Sequence, residues 1–152
     1  MQKLRFTFMV LTAILFAGLQ ASGQAYRADD VLGLWLNEDE DAHIEVFKKD
    51  GKYFGKIIWL KFPIDDETGK AKLDKHNSDE ELQKIPVLGL EVTRDFIFDD
   101  DDTYEDGSIY DPKNGKKYSC YMRYESLDKL KIRGYIGITL LGRTTYWTRV
   151  KN

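Results

Sequence analysis

Residues 116–150 read KKYSCYMRYESLDKLKIRGYIGITLLGRTTYWTRV, which is three runs of alternating residue character separated by short breaks. Successive residues of a β-strand point to opposite sides of a sheet, so such alternation is typical of half-buried strands. We place strands at Lys116–Glu125, Lys129–Ile138 and Arg143–Val150. The short breaks between them predict hairpins, and therefore an antiparallel meander at this end of the chain.

The same pattern extends towards the N-terminus. Further strands are predicted at Gly33–Asn37, Ala42–Lys48, Lys52–Leu60, Val87–Phe98 and Thr103–Tyr110. Residues that tolerate a positive φ, as tight turns require, occur at Asp50-Gly51, Asp106-Gly107, Asn114-Gly115 and Leu141-Gly142. About eight strands can close into a small barrel, which would remove exposed sheet edges. We therefore predict an all-β fold, an antiparallel up-and-down β-barrel, although a well-covered sandwich would show a similar pattern.

The alternation does not decide which face of the sheet is inside. On Lys129–Ile138, residues 130, 132, 136 and 138 are aliphatic, whereas Lys131, Arg133 and Tyr135 share the opposite face. On residues 118–124, Cys120 and Met122 lie opposite Tyr121. Neither face is purely polar, which is what a small barrel with a partly polar lumen would show.

The N-terminal segment has the organisation of an export signal. Lys3 and Arg5 precede the apolar run Phe6–Leu19, which is followed by small residues up to Ala25. The run is shorter than the roughly 20 apolar residues that cross a bilayer. We expect residues 1–25 to be a cleaved signal peptide and residues 26–152 to form a single exported domain, periplasmic or secreted. No transmembrane segment would remain after cleavage.

Composition argues against several classes of partner and cofactor. The formal net charge is −3, and loss of the basic leader makes it more negative, so nothing attracts the chain to nucleic acid. Cys120 is the single cysteine and is expected to be buried, so no internal disulfide can form. His43 and His76 are the only histidines and have no ligand partners nearby, so neither a metal site nor a cofactor is predicted. The acidic run Asp99–Asp102 fits a solvated hairpin tip better than a calcium loop.

An ordered set of motifs carries a family resemblance. The motifs are Gly33-Leu34-Trp35, Asp74-Lys75-His76-Asn77, Leu88-Gly89-Leu90, Ile109-Tyr110-Asp111-Pro112, Asn114-Gly115-Lys116, Arg133-Gly134-Tyr135-Ile136-Gly137, Gly142-Arg143-Thr144 and Trp147-Thr148-Arg149. Together they resemble the small exported bacterial proteins of the domain of unknown function 2147 family. The resemblance implies a lipocalin-like, calycin-type barrel and no established activity. Ser78 and Gln83 depart from the family pattern, so the resemblance says less about the loop Lys61–Lys84 than about the barrel.

The first and last strands also resemble the lipocalin pattern of an early tryptophan packed beneath a late arginine. Gly33 and Trp35 supply the early part, and Trp147 and Arg149 supply the late part. A guanidinium over an indole face contributes about 0.5 to 2 kcal/mol and would join the two ends of the sheet. We expect these residues to be structural.

Arg133 and Tyr135 are candidate ligand-binding residues because they project from one face of one strand. A guanidinium and a hydroxyl suit a carboxylate or phosphate, and the pair resembles the Arg-x-Tyr clamp of intracellular fatty-acid-binding proteins. Tyr121, Arg143 and Tyr146 would be neighbours if that face turned inward. The alternative is an outward face on which Arg133 pairs with a surface carboxylate.

Three functions remain open on the sequence. The first is a barrel that binds a small amphipathic or lipid-like molecule, with the long loop Lys61–Lys84 as its lid. The second is an envelope protein–protein interaction module whose barrel is filled with side chains. The third is a small hydrolase or isomerase that uses His76 and Asp74, and it is disfavoured because no nucleophile motif accompanies them.

Overall fold

The computed structural model describes residues 25–151, so residues 1–24 of the predicted signal peptide lie outside the described part. Eight antiparallel strands form a closed barrel in which each strand pairs with its sequence neighbour and the last pairs with the first. They are β1 Gly33–Leu36, β2 Ala42–Lys49, β3 Lys52–Leu60, β4 Glu91–Phe98, β5 Thr103–Asp111, β6 Lys116–Ser126, β7 Lys129–Tyr135 and β8 Gly142–Arg149. The predicted up-and-down barrel is confirmed, and the sandwich alternative is wrong. Within residues 25–151, no helix is long and apolar enough to cross a membrane.

Two strands are shorter than the sequence predicted. β7 ends at Tyr135 and not at Ile138, because Gly137 takes a φ of 76° and the chain leaves the sheet. β4 begins at Glu91 and not at Val87, after Gly89 with a φ of 97°. The segment 136–141 is therefore a turn, and residues 61–90 form one long connection between β3 and β4.

One predicted turn is wrong. Asp106-Gly107 lies inside β5, where the pairing with β6 shifts its register, as at a β-bulge. A β-carbon on Gly107 would come within 2.3 Å of the Phe96 ring, so glycine is required there by close packing. The actual β4–β5 turn is the acidic run Asp99–Asp102, and Asp99 accepts backbone hydrogen bonds from Asp101 and Thr103.

The barrel is packed solid at one end, which we call the closed end. Its core contains Trp35, Tyr53, Phe96, Tyr104, Met122 and Leu130, all essentially inaccessible to solvent. The short 3₁₀ helix Ala28–Val31 covers this end, and the Tyr104 hydroxyl donates a hydrogen bond of 2.8 Å to the carbonyl of Ala28. The closed end supplies most of the apolar burial that stabilises the sheet.

Trp35 and Arg149 join the two ends of the sheet. They are cross-strand partners of β1 and β8, and the guanidinium carbon lies 4.2 Å from the indole centroid. Arg149 also donates hydrogen bonds to the carbonyls of Asp30, Leu32 and Leu127. A β-carbon on Gly33, which has a φ of 119°, would lie 3.5 Å from Nη1 of Arg149. The lipocalin pattern in the sequence predicts the contact between Trp35 and Arg149. Trp147 is buried nearby, on the inner face of β8.

The opposite end, the open end, carries the β1–β2, β5–β6 and β7–β8 turns and the long connection 61–90. Asp74 of the long connection is 1% exposed and accepts hydrogen bonds of 2.7 and 2.9 Å from the Tyr110 hydroxyl and one of 2.8 Å from Asn77. Gly115 of the β5–β6 turn packs against the carbonyl of His76, leaving no room for a side chain. The connection is thereby docked against β5 and β6, and it contains a 3₁₀ turn at Leu82–Lys84.

Candidate ligand-binding cavity

A cavity of about 910 Å³ occupies the open half of the barrel. Its floor and walls are the inner faces of the strands, with the apolar side chains of Ile44, Ile57, Val92, Ile109, Ile132 and Trp147. These positions alternate with solvent-facing ones, so the cavity follows directly from the strand pattern. The interior is therefore suited to the apolar part of a ligand.

An ion-pair cluster lies on one part of the mouth. The ammonium of Lys113, on the β5–β6 turn, is 2.6 Å from Asp39 and 2.9 Å from Asp41 beside the β1–β2 turn. Burial acts to raise the pKa of Asp41, but hydrogen bonds from Lys113 and Asn37 outweigh it and hold that pKa below its usual range. The carboxylate of Asp41 and the ammonium of Lys113 are both charged at neutral pH, and each compensates the other.

The long connection forms another part of the mouth. Phe62, Lys72, Leu73, Lys75 and His76 line the cavity there. Asp65 lies 3.6 Å from Lys75 and also accepts backbone hydrogen bonds from Thr68 and Glu67, which hold its pKa below the usual range. The predicted lid thus borders the cavity, and hydrogen bonds hold it in an ordered conformation.

Arg133 does not line the cavity. Leu130 and Ile132 point into the barrel, so Arg133 projects from the outer face, where it donates hydrogen bonds to the carbonyls of Thr139 and Leu140 and to the hydroxyl of Thr144. The prediction that Arg133 lies at the polar end of the lumen is wrong, because alternate residues of β7 point inward and outward and Arg133 is one of the outward ones. The alternative of an outward face agrees with the structure, but within residues 25–151 the partners of Arg133 are these carbonyls and this hydroxyl and not a surface carboxylate.

Tyr121 and Tyr146 lie on the same outer face. Tyr121 is the cross-strand partner of Arg133, and Tyr146 is the partner of Lys131. The ammonium of Lys129 sits 4.5 Å from the Tyr146 ring centroid. Neither tyrosine lines the cavity, so a ligand held inside the barrel would not touch them.

Arg143 and Tyr135 are the two predicted ligand-binding residues that the structure does bring to the cavity. Arg143 lies on the inner face of β8, two residues from Thr145 and four from Trp147, both of which also line the cavity. Tyr135, the last residue of β7, borders the mouth. The sequence did not point to Asn114 and Tyr118, which line the cavity between β5 and β6.

The side-chain partners of Asp74 are Tyr110 and Asn77, and His76 is not among them. Both oxygens of Asp74 accept hydrogen bonds from Tyr110, and its further partner is Asn77. Burial, and then the hydrogen bond to Asp74, raises the pKa of Tyr110 to about 12, so this hydroxyl stays protonated and donates to the carboxylate. Within residues 25–151, no group of three potential ligands could hold a metal ion.

The β7–β8 turn presents aliphatic side chains to solvent beside the mouth. Their exposed fractions are 63% for Ile136, 59% for Ile138, 83% for Leu140 and 71% for Leu141. Ile136 and Leu141 also line the cavity, so the apolar surface continues from the inside of the barrel onto its rim.

A closed eight-stranded barrel with one packed end and one open, apolar-lined end defines a lipocalin-like protein. The chain belongs to the family described as "Uncharacterized protein conserved in bacteria (DUF2147)", whose model matches residues 33–149. Its fold is similar to that of HP1028 from Helicobacter pylori, a protein described as belonging to the lipocalin family. The TM-score is 0.67 and the identity 23%, over 80% of this chain and 83% of that one. No curated protein matches the chain.

Proposed function

We propose that this protein is an exported binding protein for a small amphipathic molecule, held inside the open half of the barrel. The observation that carries the proposal is the cavity itself, about 910 Å³ with an apolar interior and a charged mouth. Small-molecule sites typically enclose roughly 300–1,000 Å³ and combine apolar walls with a few polar groups. The apolar interior would take a ligand's hydrocarbon part, and the mouth would take its polar part.

Export is part of the proposal and rests on the N-terminal sequence. Lys3, Arg5 and the apolar run Phe6–Leu19 are typical of a signal peptide, which predicts a periplasmic or secreted location. A carrier in that compartment would keep a poorly soluble molecule in solution between two membranes or outside the cell.

An interaction with another envelope protein is a second candidate function. The sequence associated this function with a barrel filled by its own side chains, and the structure does not support that form of it. Ile57, Ile132 and Met122 point inward and still leave the cavity open. The support comes from the exposed aliphatic turn 136–141, since contiguous apolar surface often marks an interaction site. A photo-crosslinker placed at Leu140 in cells would capture a partner if this function exists, and only uncrosslinked monomer would argue against it.

The binding proposal is tested by filling the cavity. Thr145→Trp adds a large side chain to the inner face of β8, whereas Thr148→Trp adds the same side chain to the exposed outer face of the same strand. Each protein is purified from its native host, extracted with organic solvent and examined by mass spectrometry. We expect a bound molecule with the wild type and Thr148→Trp and none with Thr145→Trp. No bound molecule in any of the three, together with no thermal shift on adding fatty acids, sterols or phospholipids, would overturn the proposal.

A further inference from the structure

The mouth of the cavity contains cations of two kinds, those with an acidic partner and those without. Lys113 is paired with Asp39 and Asp41, and Lys75 is paired with Asp65. Within residues 25–151, neither Lys72 nor Arg143 makes an ion pair, although the charge of Lys72 helps to lower the pKa of Asp41. Arg143 is the one arginine that lines the cavity in this part of the chain.

The surroundings of Arg143 leave its side chain accessible from the cavity. Its cross-strand partner is Gly134, which has no side chain to cover it. Tyr118 flanks Gly134 on the other side, since a β-carbon on Gly134 would lie 3.5 Å from that of Tyr118. The Tyr118 hydroxyl accepts a hydrogen bond of 3.2 Å from the Asn114 amide, so its own hydrogen remains free to be donated.

The acids of the mouth already have donors. Asp111 accepts hydrogen bonds from the Asn114 amide and the backbone of Lys113, and Asp39, Asp41 and Asp65 are ion-paired. A cationic ligand would have to displace one of these partners, whereas an anionic ligand would find an uncompensated guanidinium. Arginine binds carboxylates through two parallel N–H donors, which adds geometric selectivity to the charge.

We propose that the ligand is a single-chain amphiphile with a carboxylate head group, which Arg143 and Tyr118 bind at the mouth while the chain extends towards Trp147. This inference rests on the proposed binding function and names its ligand class. Trp147 lies four residues below Arg143 on β8, which is about 13 Å of strand. That depth suits a chain of medium length, since a longer one would protrude past the exposed residues Ile136 and Leu141.

The test compares three probes that have the same chain and different heads: laurate, dodecanol and dodecyltrimethylammonium. Their affinities for the purified protein are measured by calorimetry below their aggregation limits. We expect laurate to bind at least about tenfold more tightly than dodecanol, the equivalent of about 1.4 kcal/mol, and the cation to bind most weakly. Arg143→Gln should remove the preference and lower the affinity for laurate to about that for dodecanol.

Lys131→Gln is the matched control, because Lys131 is a cation of the outer face one strand away. It should leave all three affinities unchanged. Equal binding of the three probes by the wild type, or an undiminished preference for laurate in Arg143→Gln, would overturn the assignment and leave the carrier proposal standing. Binding of none of the probes would also overturn it, and the extraction experiment then decides separately whether the barrel carries another molecule.

Discussion

The ammonium of Lys113 lies 2.9 Å from a carboxylate oxygen of Asp41. Lys113 follows β5 and Asp41 precedes β2, and in a closed ring of eight strands these two turns lie on opposite sides. The ion pair therefore spans part of the cavity mouth. A ligand would have to pass on one side of this ion pair, next to the β7–β8 turn or next to the long connection, or would have to break the pair.

Replacing Lys113 by methionine should speed ligand exchange. Lys113 is exposed and Asp41 is half-buried, so loss of the pair should change the free energy of unfolding by about 1 kcal/mol or less. The rates of laurate entry and exit should both rise several-fold, as measured by stopped-flow tryptophan fluorescence. Lys116→Met, an exposed lysine on the same hairpin, is the control, and exchange rates equal to wild type in Lys113→Met would contradict a barrier at this pair.

Acid should open the same pair. The pKa of Asp41 in the folded protein is lower than its ordinary value of 3.8. The contribution of the ion pair to stability is therefore complete above pH 3.8 and is lost as the pH falls through the folded pKa. Exchange rates should therefore be flat from neutral pH down to about 4 and should rise below it in the wild type. Lys113→Met should be fast throughout this range. A rise in the wild type already at pH 6 would point to a different group.

Arg149→Lys should destabilise the fold although it keeps the charge. Lysine cannot reproduce the three hydrogen bonds to the carbonyls of Asp30, Leu32 and Leu127, or the flat contact with Trp35. We expect a loss of about 2 to 4 kcal/mol in the free energy of unfolding, measured by urea denaturation. Arg123→Lys, at an exposed ion pair with Asp102, should cost much less. Equal effects of the two changes would contradict the joining role of Arg149.

Tyr110→Phe should loosen the long connection. It removes the hydroxyl donor from the buried carboxylate of Asp74, and an unsatisfied buried group costs about 1 to 3 kcal/mol. Tyr121→Phe on the outer face is the control. Limited proteolysis should cut Tyr110→Phe within residues 61–90 faster than either the wild type or the control, and equal rates would show that the Asp74 contact does not hold the connection in place.

Alkaline pH should destabilise the wild type through its tyrosines. Burial raises the pKa of both Tyr110 and Tyr124 to about 12, so the unfolded chain loses these protons at a lower pH than the folded one. Their contribution to stability is complete below about 10 and is lost as the pH rises towards 12. Chemical denaturation across that range should show a steeper fall in the wild type than in Tyr110→Phe. Identical slopes would contradict the raised pKa of Tyr110.

Arg133→Gln should change the β7–β8 turn and not the binding of ligand. The guanidinium holds the carbonyls of Thr139 and Leu140 from outside the barrel. Amide hydrogen exchange in residues 136–141 should therefore accelerate, while the affinity for laurate changes less than twofold. A large loss of affinity without faster exchange would restore Arg133 as a ligand-binding residue.

The sequence predicted the number and order of the strands because each one alternates locally and is bounded by a turn. The resemblance to the lipocalin pattern predicted the contact between Trp35 and Arg149, which lie on the first and last strands of the closed barrel. The sequence could not predict that β7 stops at Tyr135. Ile136 and Ile138 continue the alternation, and only the positive φ of Gly137 ends the strand.

The site was less accessible to sequence reasoning because both faces of β7 carry plausible lumen residues. Leu130 packs in the core of the closed end and Ile132 lines the cavity, so both point inward and Arg133 lies outside. The partners that shape the mouth come from distant parts of the chain, as in Lys113 with Asp39, and no local pattern links them. The contact between Asp74 and Tyr110 was not predicted either, because its two residues belong to sequence motifs that are far apart in the chain.

Binding inside the barrel is tested most directly by locating a bound ligand by NMR, using amide and methyl shifts on adding laurate or dodecanol. We expect perturbations at the inner-face residues Ile57, Ile132, Thr145 and Trp147, and none beyond small secondary effects at Tyr121 and Tyr146. Perturbations confined to the outer face of β6, β7 and β8, with the inner-face signals unmoved at saturation, would contradict binding inside the barrel.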